Sequence, residues 1–392
     1  KLDAIDYPDE RRVNSKPTPR LGGLAIFFGI FVSLGVLWIG VKIYGWESPF
    51  TSHPRLKPWY PGVGFSLFLM FAVGMIDDMI SLNPKLKLIG QFIAAFFAVS
   101  SGILFENIYN PFASEFIDFG VWAYPITVIY LIAFANIINL IDGLDGLASG
   151  ISIISAITML VLSVLTDRMD ALILCLALLG TALGFLKFNF HPASIFMGDS
   201  GALLLGFMLG IISIISIART TMAISILIPL LTAIVPIVDT FSAIIRRKRG
   251  HQKIDQADKG HVHHRLVEEG YSQKTTVFII WIWTAVMSVC GIFIILVDRP
   301  FKIPIILFIL ASCVFAIFKL KLFRPVLQHH FNPRQRRNKI YTRREYNKLH
   351  SYAKEIPGIQ KQHREPYETG GFRRISQDMK VPEFNNPYDR KK

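Results

Sequence analysis

The chain has 392 residues, of which 52% are hydrophobic and 18% are charged, and its mean hydropathy is +0.43. Soluble domains usually carry about 25% charged residues, so this composition excludes an ordinary soluble protein and indicates one that lies mostly within a membrane. The formal net charge is +14, but most of it lies in residues 319–392. The basic character is therefore a property of the C-terminal tail.

Ten apolar segments separated by polar connections dominate the chain before this tail. A helix needs about 20 apolar residues to cross a hydrocarbon core, so the segments predict an all-α, polytopic integral membrane protein. In chain order the predicted spans are residues 22–43, 61–76, 86–104, 121–138, 146–165, 170–186, 200–217, 221–245, 276–297 and 303–319. The domains that follow are an N-terminal cytoplasmic segment (1–21), a transmembrane domain (22–323) with a cytoplasmic loop (246–274), and a basic tail (324–392) that we expect to be cytoplasmic and disordered.

Lysine and arginine are distributed unevenly between the two sets of loops. One set contains the basic residues of 11–20, 85–87 and 246–274, whereas the opposite set includes the acidic loop 105–118. Cytoplasmic loops carry an excess of Lys and Arg, so the basic set is predicted to be cytoplasmic. The clusters of acidic, asparagine and histidine side chains all fall in loops of this set, at residues 77–78, 139–145, 196–199 and 261–265. Groups from distant parts of the chain can therefore meet on one face.

Two adjacent acids, Asp77 and Asp78, follow the second predicted span. Acids this close to the hydrocarbon are costly and usually functional. A divalent cation or a proton would relieve the repulsion within the pair, and oxygen ligands favour Mg²⁺ or Mn²⁺. The alternative is a pair that merely ends the helix. Lys87 either binds phosphate or anchors the chain at the membrane surface.

The segment 136–146 places Asn136, Asn139, Asp142 and Asp145 at intervals of three, which brings them to one face if the backbone is helical. Two glycines in the same segment allow the chain to unwind and to approach a ligand closely. The pattern favours a binding surface for a polar molecule. Polar contacts between packed helices are the alternative.

The next cluster precedes the seventh predicted span. Asp199 either caps that helix or faces the same cavity and completes a metal shell with the Asp77 pair. Phe196 either stacks on a base or packs within the loop. His191 precedes a proline and is more typical of a structural residue.

The loop 246–274 holds His261, His263, His264 and Arg265 within five residues. A zinc site is disfavoured because no cysteine is nearby and consecutive histidines cannot all face one ion. Imidazoles and a guanidinium instead suit a diphosphate, since arginine binds phosphate oxygens with two hydrogen bonds. The alternative is a solvated basic loop. Asp239, in the span before the loop, either serves this site or pairs with a local cation.

Together these residues resemble the polyprenyl-phosphate N-acetylhexosamine-1-phosphate transferases, a family of membrane enzymes. The resemblance covers residues 5–271 and continues by topology to about residue 323. Its markers are Lys16-Pro-Thr-Pro-Arg20, Asp77-Asp78 followed by Lys87, Asn139-x-x-Asp142-Gly-x-Asp145-Gly, Phe196-Met-Gly-Asp199, Pro236-x-x-Asp239, and His261-x-His263-His264-Arg265.

The resemblance implies transfer of a sugar-1-phosphate from a UDP-sugar to a polyprenyl phosphate, with release of UMP and dependence on Mg²⁺, for which Mn²⁺ is an alternative. It implies that Asp199, with Asp78, binds the metal. It implies catalytic roles for Asp77, Asp78, His263 and His264. The residues implied to bind substrate are Lys16, Arg20, Lys87, Asn139, Asp142, Asp145, Asn189, Phe196, His261 and Arg265.

The histidine motif separates branches of this family. The sequence His-Val-His-His-Arg is similar to the branch that uses UDP-GlcNAc, so we expect GlcNAc-1-phosphate transfer to undecaprenyl phosphate as the first membrane step of an envelope polysaccharide such as teichoic acid or O-antigen. The alternative donor is UDP-MurNAc-pentapeptide, which would make the product peptidoglycan lipid I. The enzyme is expected in the cell membrane, among its lipids, with its active site on the cytoplasmic face.

Two departures from the family pattern stand out. The family usually has one more span before the Lys16 region, so we expect eleven spans in the native protein. Its acidic motif often has a third aspartate where this chain has Ser81.

Other classes of function fit the sequence less well. A membrane transporter would place polar groups near the midplane and often has repeated halves. The CDP-alcohol phosphotransferases have later paired acids at a spacing that this chain lacks. Nucleic acid is not an expected partner because the basic tail has no recognisable binding module. The sequence leaves open whether the protein forms a homodimer.

Overall fold

A computed structural model describes residues 5–6, 18–50, 58–110, 115–217, 230–231, 233–249, 261–320 and 322. The helices among them are α1 (Gly22–Ile43), α2 (Tyr60–Ile80), α3 (Pro84–Ser100), α4 (Ala123–Ile141), α5 (Leu147–Leu165), α6 (Met169–Asn189), α7 (Gly198–Ile217), α8 (Ile234–Arg249), α9 (Val262–Glu268), α10 (Gln273–Leu296) and α11 (Arg299–Lys319). Two short antiparallel pairs accompany them, β1 (Ile5–Asp6) with β2 (Thr18–Pro19) and β3 (Asn107–Asn110) with β4 (Glu115–Asp118).

Eight of the described helices are long and apolar enough to cross a membrane. The two others that match predicted spans are shorter, since α3 has 17 residues and α8 has 16 described residues. The predicted span 221–245 coincides with α8 only in part, because residues 218–229 lie outside the described residues. These helices confirm the prediction of an all-α, multi-pass membrane protein. The predicted tail (324–392) and most of the predicted N-terminal segment (1–21) also lie outside the description.

The prediction that all the polar clusters lie in loops is wrong in detail. Asp77 and Asp78 belong to the last turn of α2, and Asp199 belongs to the first turn of α7. The reason is that the connections are tighter than the apolar pattern indicates. Ser81 ends α2 in a left-handed conformation with φ of 50°, and the side chain of Asn83 caps α3 by accepting from the backbone N–H of Lys85. Helical hydrogen bonds therefore continue past the end of the apolar run.

Two further differences concern segments predicted as loops. The short helix α9 interrupts the predicted loop 246–274, and α8 continues into that loop as far as Arg249. The hairpin of β3 and β4 occupies the acidic loop. The helix α9 and the strands β3 and β4 are each too short to show a helical or an alternating apolar period, so the sequence pattern does not reveal them.

Helix α7 is the centre of the bundle. Its residues 200–216 are all buried, and it packs against α1, α2, α4, α5 and α6. Glycines make these contacts close: Gly23 of α1 and Gly74 of α2 abut Ser200, and Gly206 of α7 abuts the backbone of α4 at Phe134. Small residues allow helix backbones in a membrane to approach one another, which is how such bundles gain packing energy. The N-terminal end of α7 is therefore held against α1 and α2.

The close approach of α2 and α7 predicts a stability difference between two glycines of α2. A methyl group at Gly74 would overlap the Cα atom of Ser200 and lie 2.6 Å from the carbonyl oxygen of Asp199, whereas one at Gly64 would meet no atom within 4 Å. Gly74→Ala should destabilise the protein by about 1–3 kcal/mol. Gly64→Ala should leave it unchanged or slightly more stable, since alanine favours helix. Thermal unfolding of both variants in detergent measures this, and equal melting temperatures would contradict the packing.

Candidate active site

Four helices meet at a cluster of charged side chains. The Nζ atom of Lys87 in α3 lies 2.9 Å from Oδ2 of Asp77 in α2, and it also donates to Oδ2 of Asp199 in α7. Asn139 in α4 donates from Nδ2 to Oδ1 of Asp199 at 2.9 Å. The other oxygen of Asp77 accepts a hydrogen bond of 2.6 Å from the backbone N–H of Leu82. The structure thus brings together four residues that the sequence predicted to act in one site.

Asp78 points to the other side of the same junction. Its Oδ1 accepts from the backbone N–H of Asp199 at 2.8 Å, and its Oδ2 accepts from the N–H and the hydroxyl of Ser200 at 2.9 and 2.6 Å. Both oxygens are therefore engaged by the first turn of α7. Gly198 allows this approach, because a side chain there would come within 2.6 Å of Oδ2. Catalysis and metal binding by Asp78 stay predictions.

Asp142 contributes a carboxylate without a hydrogen bond from any described residue. It follows the last residue of α4 and is half-buried. Burial raises the pKa of its carboxyl to about 7, and the negative charges of Asp199, Asp78 and Asp145 act in the same direction, while the positive charge of Arg20 opposes them. A proton or a cation at this position would therefore be favourable at neutral pH.

Asp145 and Asn189 hold the loop between α6 and α7. Oδ2 of Asp145 lies 2.8 Å from Nδ1 of His191 and accepts from the backbone N–H of Ala193 at 3.1 Å. Oδ1 of Asn189 accepts from the backbone N–H of Gly146 at 3.1 Å and from a serine hydroxyl of α5 at 2.9 Å. These side chains join the segment after α4 to the segment after α6. Substrate contacts by Asp145 and Asn189 stay predictions, as does the structural role of His191.

The histidine motif begins α9. The carboxylate of Asp239 in α8 binds both Nδ1 of His261, at 2.9 Å, and the backbone N–H of Val262, at 2.9 Å. The ring of His263 stacks on that of His261, with 5.7 Å between centroids and 4° between planes. Asp239 therefore orients the start of α9, and a role in the site for it stays a prediction.

His263 reaches the segment that follows α4. It is 2% exposed, and its ring lies so close to Gly143 that a Cβ atom there would be 2.6 Å from Nε2. Burial lowers the pKa of His263 well below its ordinary value, and the neighbouring His264 and His261 lower it further. The ring is therefore neutral at pH 7. The contact joins the histidine motif to the acidic motif at Asp142.

The remaining predicted residues lie around this core. The centroid of the His264 ring is 4.3 Å from that of His263. Arg265 lies in α9, with Nη1 3.5 Å from Oε2 of Glu268. An ion pair this long with an exposed partner contributes little stability.

The segment before α1 is fastened to the loop before α7. The backbone N–H of Phe196 donates to the carbonyl oxygen of Pro19 at 2.9 Å, and its own carbonyl accepts from the N–H of Gly22 at 2.9 Å. Arg20 lies between these two contacts, and its positive charge acts on the carboxyl group of Asp142. The Phe196 ring is half-buried, and base stacking by it stays a prediction. Lys16 lies outside the described residues.

Sequence reasoning missed two participants, Ser200 and Gly143. Ser200 directly follows a predicted metal ligand, but a lone serine in an apolar helix gives no signal of the acid that it contacts. Gly143 is one of the two glycines in the segment 136–146, for which the sequence predicts only local unwinding and a close approach to a ligand. Its proximity to His263 joins residues 120 positions apart, which no local pattern can reveal.

Charge balance distinguishes this end of the bundle from the other. At the opposite end, Asp170 is fully paired, since Arg168 donates to both of its oxygens at 3.0 and 2.7 Å and Tyr60 donates at 2.7 Å. At the candidate site, the acids outnumber the nearby described cations, Lys87 and Arg20. Those acids are Asp77, Asp78, Asp142, Asp145 and Asp199. The site therefore carries an excess of negative charge.

The donor set suits a hard cation. Carboxylate and amide oxygens are ligands that Mg²⁺ accepts, and Mg²⁺ commonly takes only one or two protein carboxylates together with water and substrate phosphates. Within the described part of the chain, no group of three acidic, histidine or cysteine side chains is arranged to hold a metal alone. The residues thus fit a cation that a phosphate-bearing substrate helps to bind.

Comparison with known proteins finds related membrane transferases. The glycosyl transferase family 4 pattern matches residues 60–217. A probable undecaprenyl-phosphate N-acetylglucosaminyl 1-phosphate transferase of Bacillus subtilis is 38% identical over 292 residues, which are 74% of this chain and 77% of that protein. A decaprenyl-phosphate N-acetylglucosaminephosphotransferase of Mycobacterium tuberculosis is 33% identical over 311 residues, covering 74% and 75%. A phospho-N-acetylmuramoyl-pentapeptide-transferase of Lactiplantibacillus plantarum is 30% identical over 294 residues, covering 70% and 84%.

Fold, site and relatives together define a multi-pass membrane enzyme of the phosphotransferase class. The chain belongs to the polyprenyl-phosphate hexosamine-1-phosphate transferase family, as its motifs predicted. The relatives named above are transferases, so the comparisons give no support to the transporter alternative.

The contact between Gly143 and His263 predicts a specific coupling in stability. Gly143→Ala should cost about 1–3 kcal/mol, because the added methyl group collides with the imidazole. In a His263→Ala background the ring is absent, so the same change should cost almost nothing. Melting temperatures of the two single variants and the double variant in detergent measure this coupling. Additive effects would show that the ring and the glycine do not touch.

Proposed function

We propose that this enzyme transfers GlcNAc-1-phosphate from UDP-GlcNAc to undecaprenyl phosphate and releases UMP. The observation that carries the proposal is the junction of Asp77, Lys87, Asn139 and Asp199 at one end of a membrane bundle. Such a junction offers both acidic and basic groups to two phosphate-bearing substrates. The reaction would be the first membrane step of an envelope polysaccharide such as teichoic acid or O-antigen.

The choice of donor follows the histidine motif and the relatives. The Bacillus subtilis relative, an N-acetylglucosaminyl 1-phosphate transferase by name, is 38% identical to this chain, whereas the Lactiplantibacillus plantarum pentapeptide transferase is 30% identical. The motif His-Val-His-His-Arg supports the same donor. We therefore favour UDP-GlcNAc over UDP-MurNAc-pentapeptide.

Lys87 is suited to hold a phosphate oxygen. An ammonium group has three donors, and Lys87 directs two of them to Asp77 and Asp199. The third remains for a substrate. Because Lys87 also lies between the two acids, it keeps them apart and oriented while neutralising part of their charge.

Mg²⁺, with Asp199 as its protein ligand, would supply the positive charge that stabilises the leaving UMP. The half-buried Asp142 gives the same region a second acidic side chain that accepts no hydrogen bond from the described residues, so it is available to the metal or to the nucleotide sugar. Mn²⁺ has the same preference for oxygen ligands and is the expected substitute.

Asp77 is placed to act on the lipid phosphate. It lies in the last turn of a membrane-spanning helix, where a lipid headgroup would enter, and both of its oxygens are oriented by donors from the chain. It would accept a proton from the lipid phosphate, which then attacks the donor directly. The alternative makes Asp77 the nucleophile, with a covalent phosphosugar intermediate. A rapid-quench experiment without lipid distinguishes them, since only the second route labels the protein.

The histidine motif and the segment after α4 would together bind the UDP-sugar. His261 and His263, with Arg265 in the same helix, would contact the sugar-diphosphate, and Asn139 and Asp142 would contact the nucleotide side. The excess of Lys and Arg in the loops at this end supports a location on the cytoplasmic face of the cell membrane. UDP-sugars are available there.

An assay with purified protein tests the proposed reaction. With Mg²⁺, undecaprenyl phosphate and labelled UDP-GlcNAc, the protein should form a labelled lipid and release UMP. Removal of the divalent cation with EDTA should abolish the product, and Mg²⁺ or Mn²⁺ should restore it. Formation of product from UDP-MurNAc-pentapeptide but not from UDP-GlcNAc would overturn the donor assignment.

Asp199→Asn should nearly abolish turnover, because a neutral amide binds a divalent cation much more weakly than a carboxylate. Losses of about 10–100-fold are typical even for residues that only support a metal ligand, so a larger loss is expected here. Asp170→Asn, at the opposite end of the bundle, is the control: it should lower stability but not the Mg²⁺ requirement. Wild-type turnover by Asp199→Asn would remove Asp199 from the mechanism.

A further inference from the structure

The contacts of Asp78 differ in kind from those of its neighbour Asp77. Asp77 forms an ion pair with the side chain of Lys87, whereas Asp78 accepts three hydrogen bonds from two consecutive residues, Asp199 and Ser200. Two of these donors are backbone N–H groups at the start of α7, and carboxylates bind favourably there. The two adjacent acids therefore perform different tasks.

Ser200 is enclosed on all sides by the same junction. It is 0% exposed, and its hydroxyl donates to Oδ2 of Asp78 at 2.6 Å. Gly23 of α1 abuts its hydroxyl and Gly74 of α2 abuts its Cα atom, so neither neighbour leaves room for a shift. A serine fixed this tightly also fixes the residue before it.

We propose that Asp78 and Ser200 are positioning residues that set the location of the Asp199 carboxylate for its cation. This inference deepens the proposed function and rests on its assignment of Asp199 as a metal ligand. The carboxylate of Asp78 accepts from the backbone N–H of Asp199 and so fixes that residue, and the hydroxyl of Ser200 fixes the carboxylate of Asp78. The side chain of Asp199 is then directed to Lys87 and Asn139. Asp78 does not itself bind the metal or the lipid phosphate.

The chain offers a matched control for Ser200. Ser213 lies in the same helix, is also buried, and also makes hydroxyl hydrogen bonds, to the carbonyl oxygen of Gly210 at 2.7 Å and with the hydroxyl of Tyr130 at 2.8 Å. Ser200→Ala and Ser213→Ala each delete one buried hydroxyl. A merely structural role predicts similar lowering of melting temperature and equal cation binding for both variants.

The test measures Mn²⁺ binding by electron paramagnetic resonance in the presence of UDP, whose diphosphate completes the cation's ligands, together with the Mg²⁺ concentration that gives half-maximal activity. Ser200→Ala should weaken Mn²⁺ binding and raise the required Mg²⁺ by about 10-fold, as expected for residues that support a metal ligand. Ser213→Ala should match the wild type in both. Asp78→Asn, which turns a donor towards the N–H groups of α7, should have a larger effect in the same direction.

Equal cation binding by Ser200→Ala, Ser213→Ala and the wild type would overturn the inference, as would absence of Mn²⁺ binding by the wild type. Failure of the proposed function has a different signature. In that case the wild type forms no labelled lipid from UDP-GlcNAc, yet Mn²⁺ binding still separates the two serine variants. The measurement of Mn²⁺ binding therefore tests the positioning role independently of which UDP-sugar the enzyme uses.

Discussion

The close approach of α2 to the first turn of α7 is the constraint on which the site depends. Gly74 permits the approach, and Asp78 then accepts the N–H groups that open α7. Because α7 is buried along its length, packing against the surrounding helices fixes its position. The carboxylate of Asp199 is therefore presented by the most buried of the described membrane-spanning helices, and sites built on packed helices are precise.

Charge at the two ends of the bundle follows opposite rules. Asp170 has a complete set of partners in Arg168 and Tyr60, so it contributes to stability without needing a ligand. At the candidate site, Lys87 is shared between two acids, and Asp142 accepts no hydrogen bond from the described residues. Such an excess of acidic groups costs stability, and the cation and phosphate groups of the proposed reaction would offset that cost. The imbalance marks the functional end more clearly than any single residue does.

The sequence predicts much of the fold because a membrane imposes a simple rule on length and polarity. All ten predicted spans correspond at least in part to described helices, and the predicted acids at Asp77 and Asp199 meet through Lys87. The pattern fails where tight turns extend helices past their apolar runs, as at Ser81. It also cannot show which of two adjacent carboxylates turns towards a helix end. That choice depends on the packing of Ser200 against α1 and α2, which only the three-dimensional structure contains.

The acidic cluster and the histidine motif are held in place by different helices. The acidic cluster is fixed by α2, α3, α4 and α7, whereas the histidine motif is fixed by Asp239 of α8 and meets the rest through Gly143. Under the proposed function, changes in the short helix α9 would therefore alter contacts with the sugar without moving Asp77 or Asp199. Such a separation would allow the sugar specificity to change while the carboxylates proposed to act at the phosphate keep their positions.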